Sequence, residues 1–366
     1  MHPIFKKLAI AVASPVIFLG AAEFAAETLD YVPRRQSPIS FWGEAHDSQF
    51  DEQDAPFRPH TGWFWEPRPG GLFVGERINA DGYRGRIFAR TKSAAFRIAA
   101  LGDSSTMGYG VREAESWPRK LEDELRSHGY DAEVLNFGVV GFSSFQGRQY
   151  YSGKALQYAP DLVITAFGAI NEQFTAERGL TDILKSQYLS RPKYQIRNAL
   201  GRFTVFRWLE QHFGQTEKID LAALASRPDS APAKLPRVSP TEFIAFHREI
   251  AGTQRARGAK FAMVDVPRMR IVERDFPTTP SYTEAIHTVA KELGVPLAPV
   301  YQRFRELEVQ RNRHPQWTED RNAEFLDMVH PSVAGHQLYA QIVAKSLLEG
   351  GILPDSAKTL TVSAPK

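Results

Sequence analysis

Short apolar runs alternate with helix-length segments through most of this chain, and this alternation limits the folds open to it. The runs have the length and composition of strands buried on both faces of a parallel sheet. The segments between them carry apolar residues at helical spacing, with start and stop signals such as Ser116 and Gly129. Predicted strands are Phe96–Leu101, Glu133–Leu135, Asp161–Phe167, Lys260–Val266 and Val295–Leu297, and predicted helices include Gln146–Tyr158, Ser281–Leu293 and Ser332–Glu349. Strands and helices in alternation predict a doubly wound α/β fold.

The composition excludes several other classes of protein. Hydrophobic residues make up 43% and charged residues 24% of the 366 residues, which is ordinary for one large globular domain with additions, or for two domains. The chain has no cysteine, so disulfides, thiolate zinc sites and cysteine nucleophiles are excluded. With 45 basic and 42 acidic residues, the net charge of +3 is too balanced to indicate nucleic acid as a partner.

The N-terminus has the plan of a secretory signal. Lys6 and Lys7 precede the apolar run Leu8–Ala22, which ends in small residues before Glu23. The run is short for a membrane span, so residues 1–26 are predicted to be either a signal peptide cleaved after Ala22 or a retained signal anchor. A buried helix of the domain is the alternative. We expect an exported protein of the periplasm or cell envelope, either membrane-anchored by residues 8–26 or secreted after cleavage.

The rest of the chain divides by regularity. Residues 27–95 are rich in aromatic and turn-forming residues and are predicted to be an extension that packs on the domain. Its Trp63–Trp65 cluster either stacks on sugar rings or pins the extension, and we expect the second. The domain itself is predicted over 96–350. Residues 172–239 read as an irregular insertion, either a lid or decoration, and residues 351–366 as a flexible tail.

Four motifs follow strands or precede the last helix, where ligand-binding residues of α/β sheets gather. They are Gly102-Asp103-Ser104-Ser105, Asn136-Phe137-Gly138-Val139-Val140-Gly141, Gly168-Ala169-Ile170-Asn171-Glu172 and Asp327-Met328-Val329-His330. Taken singly, each motif is more often a turn or a helix cap. Their joint occurrence at one sheet edge is far more specific.

Together the four motifs resemble those of the SGNH/GDSL hydrolase family, over Arg97 to about Gly350. The first and last motifs match closely. The third departs from the family pattern, with one extra residue before Asn171 and Glu172 in place of an aspartate. The resemblance implies a three-layer α/β/α, flavodoxin-like fold with a parallel central sheet.

The resemblance also implies a role for each motif. Ser104 would be the nucleophile, His330 its general base and Asp327 the carboxylate that orients the imidazole. The backbone N–H groups of Ser104 and Gly141 and the side-chain amide of Asn171 would form the oxyanion hole. Only the family register favours Ser104 over Ser105, and Asp103 reads as a structural turn residue.

These residues predict a serine hydrolase that cleaves carboxylic esters through an acyl-enzyme, acting on acyl lipids or O-acetylated glycans of the cell envelope. An O-acyltransferase acting on envelope polysaccharide, or a non-catalytic polysaccharide-binding module, are the alternatives. The sequence has no His-Glu-x-x-His, Walker A or dinucleotide motif, so we expect neither metal nor cofactor. No Gly-x-Ser-x-Gly elbow is present, and His336 is expected to be a packing or surface residue.

Overall fold

The computed structural model describes residues 19–25, 28, 54–174, 176, 180–201, 203–213, 235–310 and 323–358. Most of the predicted signal segment, the first part of the predicted extension, the middle of the predicted insertion and the end of the predicted tail lie outside these ranges. Within them, no helix combines the length and apolar character that crossing a membrane requires.

A five-stranded parallel sheet lies at the centre of the domain, and two small antiparallel hairpins precede it. The described strands are β1 (Phe57–His60), β2 (Phe64–Pro67), β3 (Leu72–Phe73), β4 (Glu76–Arg77), β5 (Phe96–Gly102), β6 (Ala132–Gly138), β7 (Leu162–Ala166), β8 (Lys260–Val264) and β9 (Leu297–Ala298). The central strands are arranged in the order β6-β5-β7-β8-β9. This order and the parallel pairing confirm the predicted fold class.

Helices cover both faces of the sheet. The α-helices whose full ranges are described are α1 (Ser104–Met107), α2 (Trp117–Ser127), α3 (Ser144–Gly153), α4 (Ala169–Gln173), α5 (Asp182–Leu189), α6 (Pro192–Leu200), α7 (Thr204–Phe213), α8 (Pro240–Ala256), α9 (Val272–Asp275), α10 (Thr279–Leu293), α11 (Val300–Gln310) and α12 (Val333–Glu349). Helices α3, α8 and α10 pack on one face, and α2, α11 and α12 on the other.

Successive residues of a strand point to opposite sides of the sheet, so a run of consecutive apolar residues makes both faces of the sheet apolar. In β5, Ala99 and Leu101 lie in the core shared with α3, α8 and α10. Ile98 and Ala100 lie in the core shared with α2, α11 and α12. A strand with apolar residues on both faces is therefore suited to the middle layer of three, as the sequence indicated.

The register of the sheet brings three strand ends to one level. Gly102 at the end of β5 pairs with Gly138 of β6 on one side and with Ala166 of β7 on the other. A side chain at position 138 would come within 2.2 Å of the backbone nitrogen of Met107, so the close approach of β6 and α1 requires glycine. The loops after β5, β6 and β7 consequently meet at one edge.

The bounds of most predicted elements shift by one or two residues, and two elements differ by more. Strand β6 extends beyond the predicted run Glu133–Leu135, because Asn136 does not end the strand: its side-chain oxygen accepts the N–H of Gly138 at 3.0 Å. Helix α3 begins earlier and ends earlier than the predicted Gln146–Tyr158, and the chain continues as a 3₁₀ helix over Ala155–Tyr158.

The aromatic part of the extension packs into the core next to α3. Phe64 and Trp65 are buried, and their rings contact Phe145 and Phe142. The indole Nε1 of Trp65 donates to the carbonyl oxygen of Val140 at 2.9 Å. Trp65 therefore ties the extension to the loop that follows β6.

The expectation that residues 172–239 lack regular structure was wrong for the part up to Phe213, which contains α5, α6 and α7. Helix α6 begins at Pro192 and is capped by Gly201, so these helices are short and none shows a clear apolar period in the sequence. At the far end, Ser239 and Glu242 form a capping box at the start of α8: the Ser239 side chain accepts the N–H of Glu242, and the Glu242 carboxylate accepts the N–H of Ser239.

Candidate active site

The turn from β5 into α1 presents Ser104 at the carboxyl edge of the sheet. Asp103 is the N-cap of α1, and its carboxylate accepts the N–H of Ser105 at 2.9 Å. Its other oxygen accepts the N–H of Gly168, which follows β7, at 3.0 Å. Burial raises the pKa of Asp103, although both N–H donors oppose that rise. Asp103 thus joins the ends of two neighbouring strands, as a structural turn residue.

His330 lies between Ser104 and Asp327. Its Nε2 is 2.9 Å from the Ser104 Oγ, and its Nδ1 is 2.6 Å from an Asp327 carboxylate oxygen. The other Asp327 oxygen accepts the backbone N–H groups of Val329 and His330, each at 2.8 Å. The Asp327 carboxylate therefore holds both the turn and the imidazole ring. The Ser104 hydroxyl, the His330 imidazole and the Asp327 carboxylate are hydrogen-bonded in series.

Two opposing effects act on Asp327. Burial alone would raise the pKa of its carboxyl, but the hydrogen bond and charge of His330 and the two backbone N–H donors outweigh burial and lower that pKa below its ordinary value. The carboxylate is consequently ionised at neutral pH and can stabilise a positively charged imidazole.

The structure separates the two adjacent serines. The Oγ of Ser105 is directed to the carbonyl oxygen of Val329, 3.4 Å away. Ser104 is the serine within hydrogen-bond distance of the imidazole. His336, six residues after His330 in the sequence, is buried and its Nδ1 accepts the N–H of Trp117 at 3.2 Å, so it is a packing residue.

Three residues with candidate N–H donors line the space next to Ser104. Ser104, Gly141 and Asn171 line one cavity of about 230 Å³ together with His330. Among the hydrogen bonds of the described residues, none has the backbone N–H of Ser104 or of Gly141 as donor. The Asn171 amide donates one hydrogen to the carbonyl of Phe142 at 3.1 Å, which leaves its second hydrogen for another acceptor.

Local backbone geometry explains these positions. Gly141 has φ +75°, a left-handed conformation that side chains disfavour. The extra residue before Asn171 is taken up by α4, which begins directly after its N-cap Gly168. The five predicted site residues, Ser104, Gly141, Asn171, Asp327 and His330, are thereby brought to one edge of the sheet.

Glu172, the other departure from the family pattern, is a buried acid beside the cavity. One carboxylate oxygen accepts the N–H of Ser144 at 2.6 Å. The other has no hydrogen-bond partner among the described residues. Burial raises the pKa of Glu172 to about 8, against the effect of the Ser144 N–H. This group is therefore largely protonated at neutral pH.

Glu172→Gln is expected to make the protein less sensitive to alkaline pH. The folded-state pKa of about 8 exceeds the ordinary 4.5, so the contribution of Glu172 to stability is complete below 4.5 and is lost as pH rises through about 8. The loss is on the order of a few kcal/mol, since one pKa unit corresponds to about 1.4 kcal/mol. Urea unfolding at pH 5 and pH 9 measures it. Glutamine keeps an oxygen that accepts the Ser144 N–H and removes only the ionisable group. Equal pH dependence of unfolding in the two proteins would contradict the expectation.

Arg237 and Asp182 also reach this site, and sequence reasoning missed both. The Arg237 guanidinium donates to the carbonyl oxygens of Gly141 at 2.9 Å and Asn171 at 3.4 Å. Its other edge pairs with the Asp182 carboxylate at 3.1 and 3.0 Å, and the same carboxylate accepts the Ser143 hydroxyl at 2.6 Å. The two residues lie 55 positions apart in the predicted irregular insertion, and no local pattern marks either of them.

A serine, a histidine and an aspartate hydrogen-bonded in series at the carboxyl edge of a parallel sheet are the arrangement that is typical of serine hydrolases. The sequence matches the model of the GDSL-like Lipase/Acylhydrolase family over residues 100–338, which is more than half of the chain. The protein belongs to this family, and the resemblance given by the four motifs is confirmed.

Individual relatives are more distant. An arylesterase of Vibrio mimicus is 36% identical over 76 residues, which are 21% of this chain and 38% of that protein, so the match spans well under half of the relative. Axe2, an acetylxylan esterase from Geobacillus stearothermophilus, has 17% sequence identity and a TM-score of 0.43. The match covers 70% of this chain and 95% of the Axe2 chain. The lipase/acylhydrolase from Enterococcus faecalis has 14% identity and a TM-score of 0.41, covering 71% and 97%.

Proposed function

We propose that the protein hydrolyses carboxylic esters through an acyl-enzyme formed on Ser104. The observation that carries the proposal is the series Ser104–His330–Asp327, with distances of 2.9 and 2.6 Å, on the wall of a cavity that Gly141 and Asn171 also line. His330 takes the proton of the Ser104 hydroxyl as the oxygen attacks the ester carbonyl. The oxyanion that develops accepts hydrogen bonds from the two backbone N–H groups and the Asn171 amide.

His330 then gives its proton to the leaving alcohol, and the acyl group remains on Ser104. A water molecule, deprotonated by the same imidazole, releases the acid and restores the serine. Asp327 stays ionised throughout, because its hydrogen bonds lower the pKa of its carboxyl, and it holds the imidazole with Nε2 toward Ser104.

The cavity favours short acyl groups. Its volume of about 230 Å³ is below the roughly 300–1,000 Å³ of pockets for drug-sized ligands. Apolar side chains of Val140, Ile170 and Val266 line it, and Phe174 lies partly exposed at its wall. The ring of Tyr109, also exposed, contacts the His330 ring, with centroids 4.4 Å apart and the ring planes tilted by 31°. We infer esters of small acids on a larger alcohol, with O-acetylated glycans or short-chain acyl lipids of the cell envelope as the natural class.

A fluorophosphonate probe and a series of p-nitrophenyl esters test this function. We expect one equivalent of probe on the peptide that contains Ser104, and the highest kcat/KM with acetyl or butyryl rather than octanoyl esters. Release of free acid without any glycan acceptor distinguishes hydrolysis from transfer to a sugar. Absence of both labelling and turnover would contradict the proposal, and a preference for octanoyl esters would contradict the small acyl group alone.

We propose further that the protein is exported and works in the cell envelope. The Lys6, Lys7 and Leu8–Ala22 pattern supports export. The Glu23 carboxylate accepts the first N–H groups of α7, and the α6–α7 region exposes apolar side chains, such as Phe213 at 73%. An exposed apolar surface next to the end of an apolar segment suits a location near a membrane.

Fractionation of cells that produce the full chain tests the location. We expect the protein in the envelope or periplasmic fraction, and the mass of its N-terminal peptide shows whether cleavage after Ala22 has occurred. Recovery of the uncleaved chain from the cytoplasm would contradict this part of the proposal.

A further inference from the structure

The second N–H donor of the candidate oxyanion hole lies on a loop that secondary structure alone does not hold. Gly141 stands between β6 and α3 with φ +75°, and the nearby backbone hydrogen bond, from Phe142 to Val139 at 3.1 Å, closes a turn around it. The direction of the Gly141 N–H therefore depends on what binds the peptide groups on either side of this residue.

Trp65 binds the peptide group on the N-terminal side. The carbonyl of Val140 and the N–H of Gly141 belong to one planar trans peptide, so they point in opposite directions. The Trp65 Nε1 donates to that carbonyl at 2.9 Å from a ring that is 1% exposed. Holding the carbonyl against the buried indole turns the Gly141 N–H away from it. Gly141 itself lies on the cavity wall.

Arg237 binds the peptide group on the C-terminal side. Its guanidinium donates to the Gly141 carbonyl at 2.9 Å and lies over the Trp65 ring, 5.7 Å from its centroid. It reaches the backbone of the third donor as well, at the Asn171 carbonyl, 3.4 Å away. Asp182 accepts two hydrogen bonds from the opposite edge of the guanidinium. The position of the guanidinium is therefore fixed by the carbonyls on one edge and by Asp182 on the other.

We propose that Trp65 and Arg237 are positioning residues that clamp the two peptide groups flanking Gly141 and so aim its N–H at the oxyanion. The inference rests on the ester hydrolysis proposed above. Trp65 comes from the extension, and Arg237 and Asp182 come from the two ends of the insertion. The extension and the insertion consequently both contribute residues that position the site.

The clamp acts on the transition state, because the oxyanion exists only there. Loss of one oxyanion donor lowers kcat by about 10²- to 10³-fold in serine hydrolases, and a misdirected donor should lose part of that. We expect Trp65→Phe, which removes the Nε1–H and keeps an aromatic ring, to lower kcat for p-nitrophenyl acetate by roughly 10- to 100-fold with little change in KM.

Trp63→Phe is the matched control. Trp63 lies in the same extension two residues away, and its indole Nε1 has no hydrogen-bond partner among the described residues. The substitution makes the same change in ring size without breaking a side-chain hydrogen bond, so we expect kcat close to that of the wild type. Affinity for a phenylboronic acid, which forms a tetrahedral adduct with the serine, should fall in Trp65→Phe and not in Trp63→Phe.

Arg237 gives a second and independent pair of variants. Arg237→Met removes every donor to the two carbonyls, and we expect a loss in kcat similar to that of Trp65→Phe. Arg237→Lys keeps a donor and the charge that pairs with Asp182, so it should recover part of kcat. Urea unfolding of each variant shows that the measured protein is folded, and if Trp65→Phe does not fold, the arginine pair decides.

The outcomes separate the clamp from the proposed function. If the wild type neither binds the fluorophosphonate probe nor turns over esters, the proposed function and the clamp both fail. If the wild type is active and folded Trp65→Phe and Arg237→Met keep the kcat of Trp63→Phe, the clamp alone is overturned. A rise in KM with kcat unchanged also overturns it, because that result places both residues in ground-state binding.

Discussion

Ser104→Ala is expected to lower kcat for p-nitrophenyl acetate by about 10⁵- to 10⁶-fold and to abolish fluorophosphonate labelling, since loss of a serine nucleophile has an effect of this size in well-studied serine hydrolases. Alanine removes the hydroxyl that lies 2.9 Å from His330 and leaves the backbone N–H of residue 104 in place. The remaining donors and the imidazole retain only the residual activity that oxyanion stabilisation and substrate binding supply.

Ser105→Ala is the control for this experiment. The Ser105 hydroxyl is directed to the Val329 carbonyl, and the contribution of Ser105 to the turn comes from its backbone N–H on Asp103. We expect labelling and turnover close to those of the wild type. Labelling that persists in Ser104→Ala and disappears in Ser105→Ala would assign the nucleophile to Ser105 and contradict the geometry proposed for the reaction.

Asp327→Asn is expected to lower kcat by about 10⁴-fold, as the equivalent change in the triad of serine proteases does. The side-chain oxygen that accepts the N–H groups of Val329 and His330 can be kept by the amide, so the turn should survive. What changes is the group facing His330 Nδ1: an amide N–H in place of a carboxylate oxygen, which favours the imidazole tautomer with its proton on Nε2. That tautomer cannot take the Ser104 proton.

A second histidine–carboxylate pair supplies the control for Asp327→Asn. His287 Nε2 lies 3.3 Å from Asp265, and His287 is not among the residues that line the cavity. We expect His287→Asn to leave kcat nearly unchanged, while Asp327→Asn loses activity with a nearly unchanged free energy of unfolding. Retention of a tenth or more of the wild-type kcat in folded Asp327→Asn would contradict the role given to this carboxylate.

Much of the fold could be predicted because it follows from local patterns. A strand such as β5 is apolar at successive positions, and only a layer covered on both sides buries all of them. Start and stop signals such as Ser239 and Gly294 mark helix ends through hydrogen bonds that neighbouring residues make. Bounds were less predictable where a side chain satisfies a backbone group unexpectedly, as Asn136 does inside β6.

The candidate site divides in the same way. Ser104, Asp327 and His330 stand in short motifs, so the sequence could single them out. The choice between Ser104 and Ser105 could not be made from the residues themselves, because adjacent hydroxyls differ only in where the backbone directs them. Here the turn held by Asp103 directs one toward His330 and the other toward the Val329 carbonyl.

Residue order along the chain was sufficient for the α/β layers, for the motifs at the strand ends and hence for the family, because each depends on spacing over a few positions. The folded chain alone showed that Trp65, Asp182 and Arg237 meet around Gly141, and that Glu172 is buried with one oxygen unpaired among the described residues. Hydrogen bonds between residues 55 to 96 positions apart leave no periodic pattern in the sequence. The reason is that the local structure around each partner would accept many other residue types at that position.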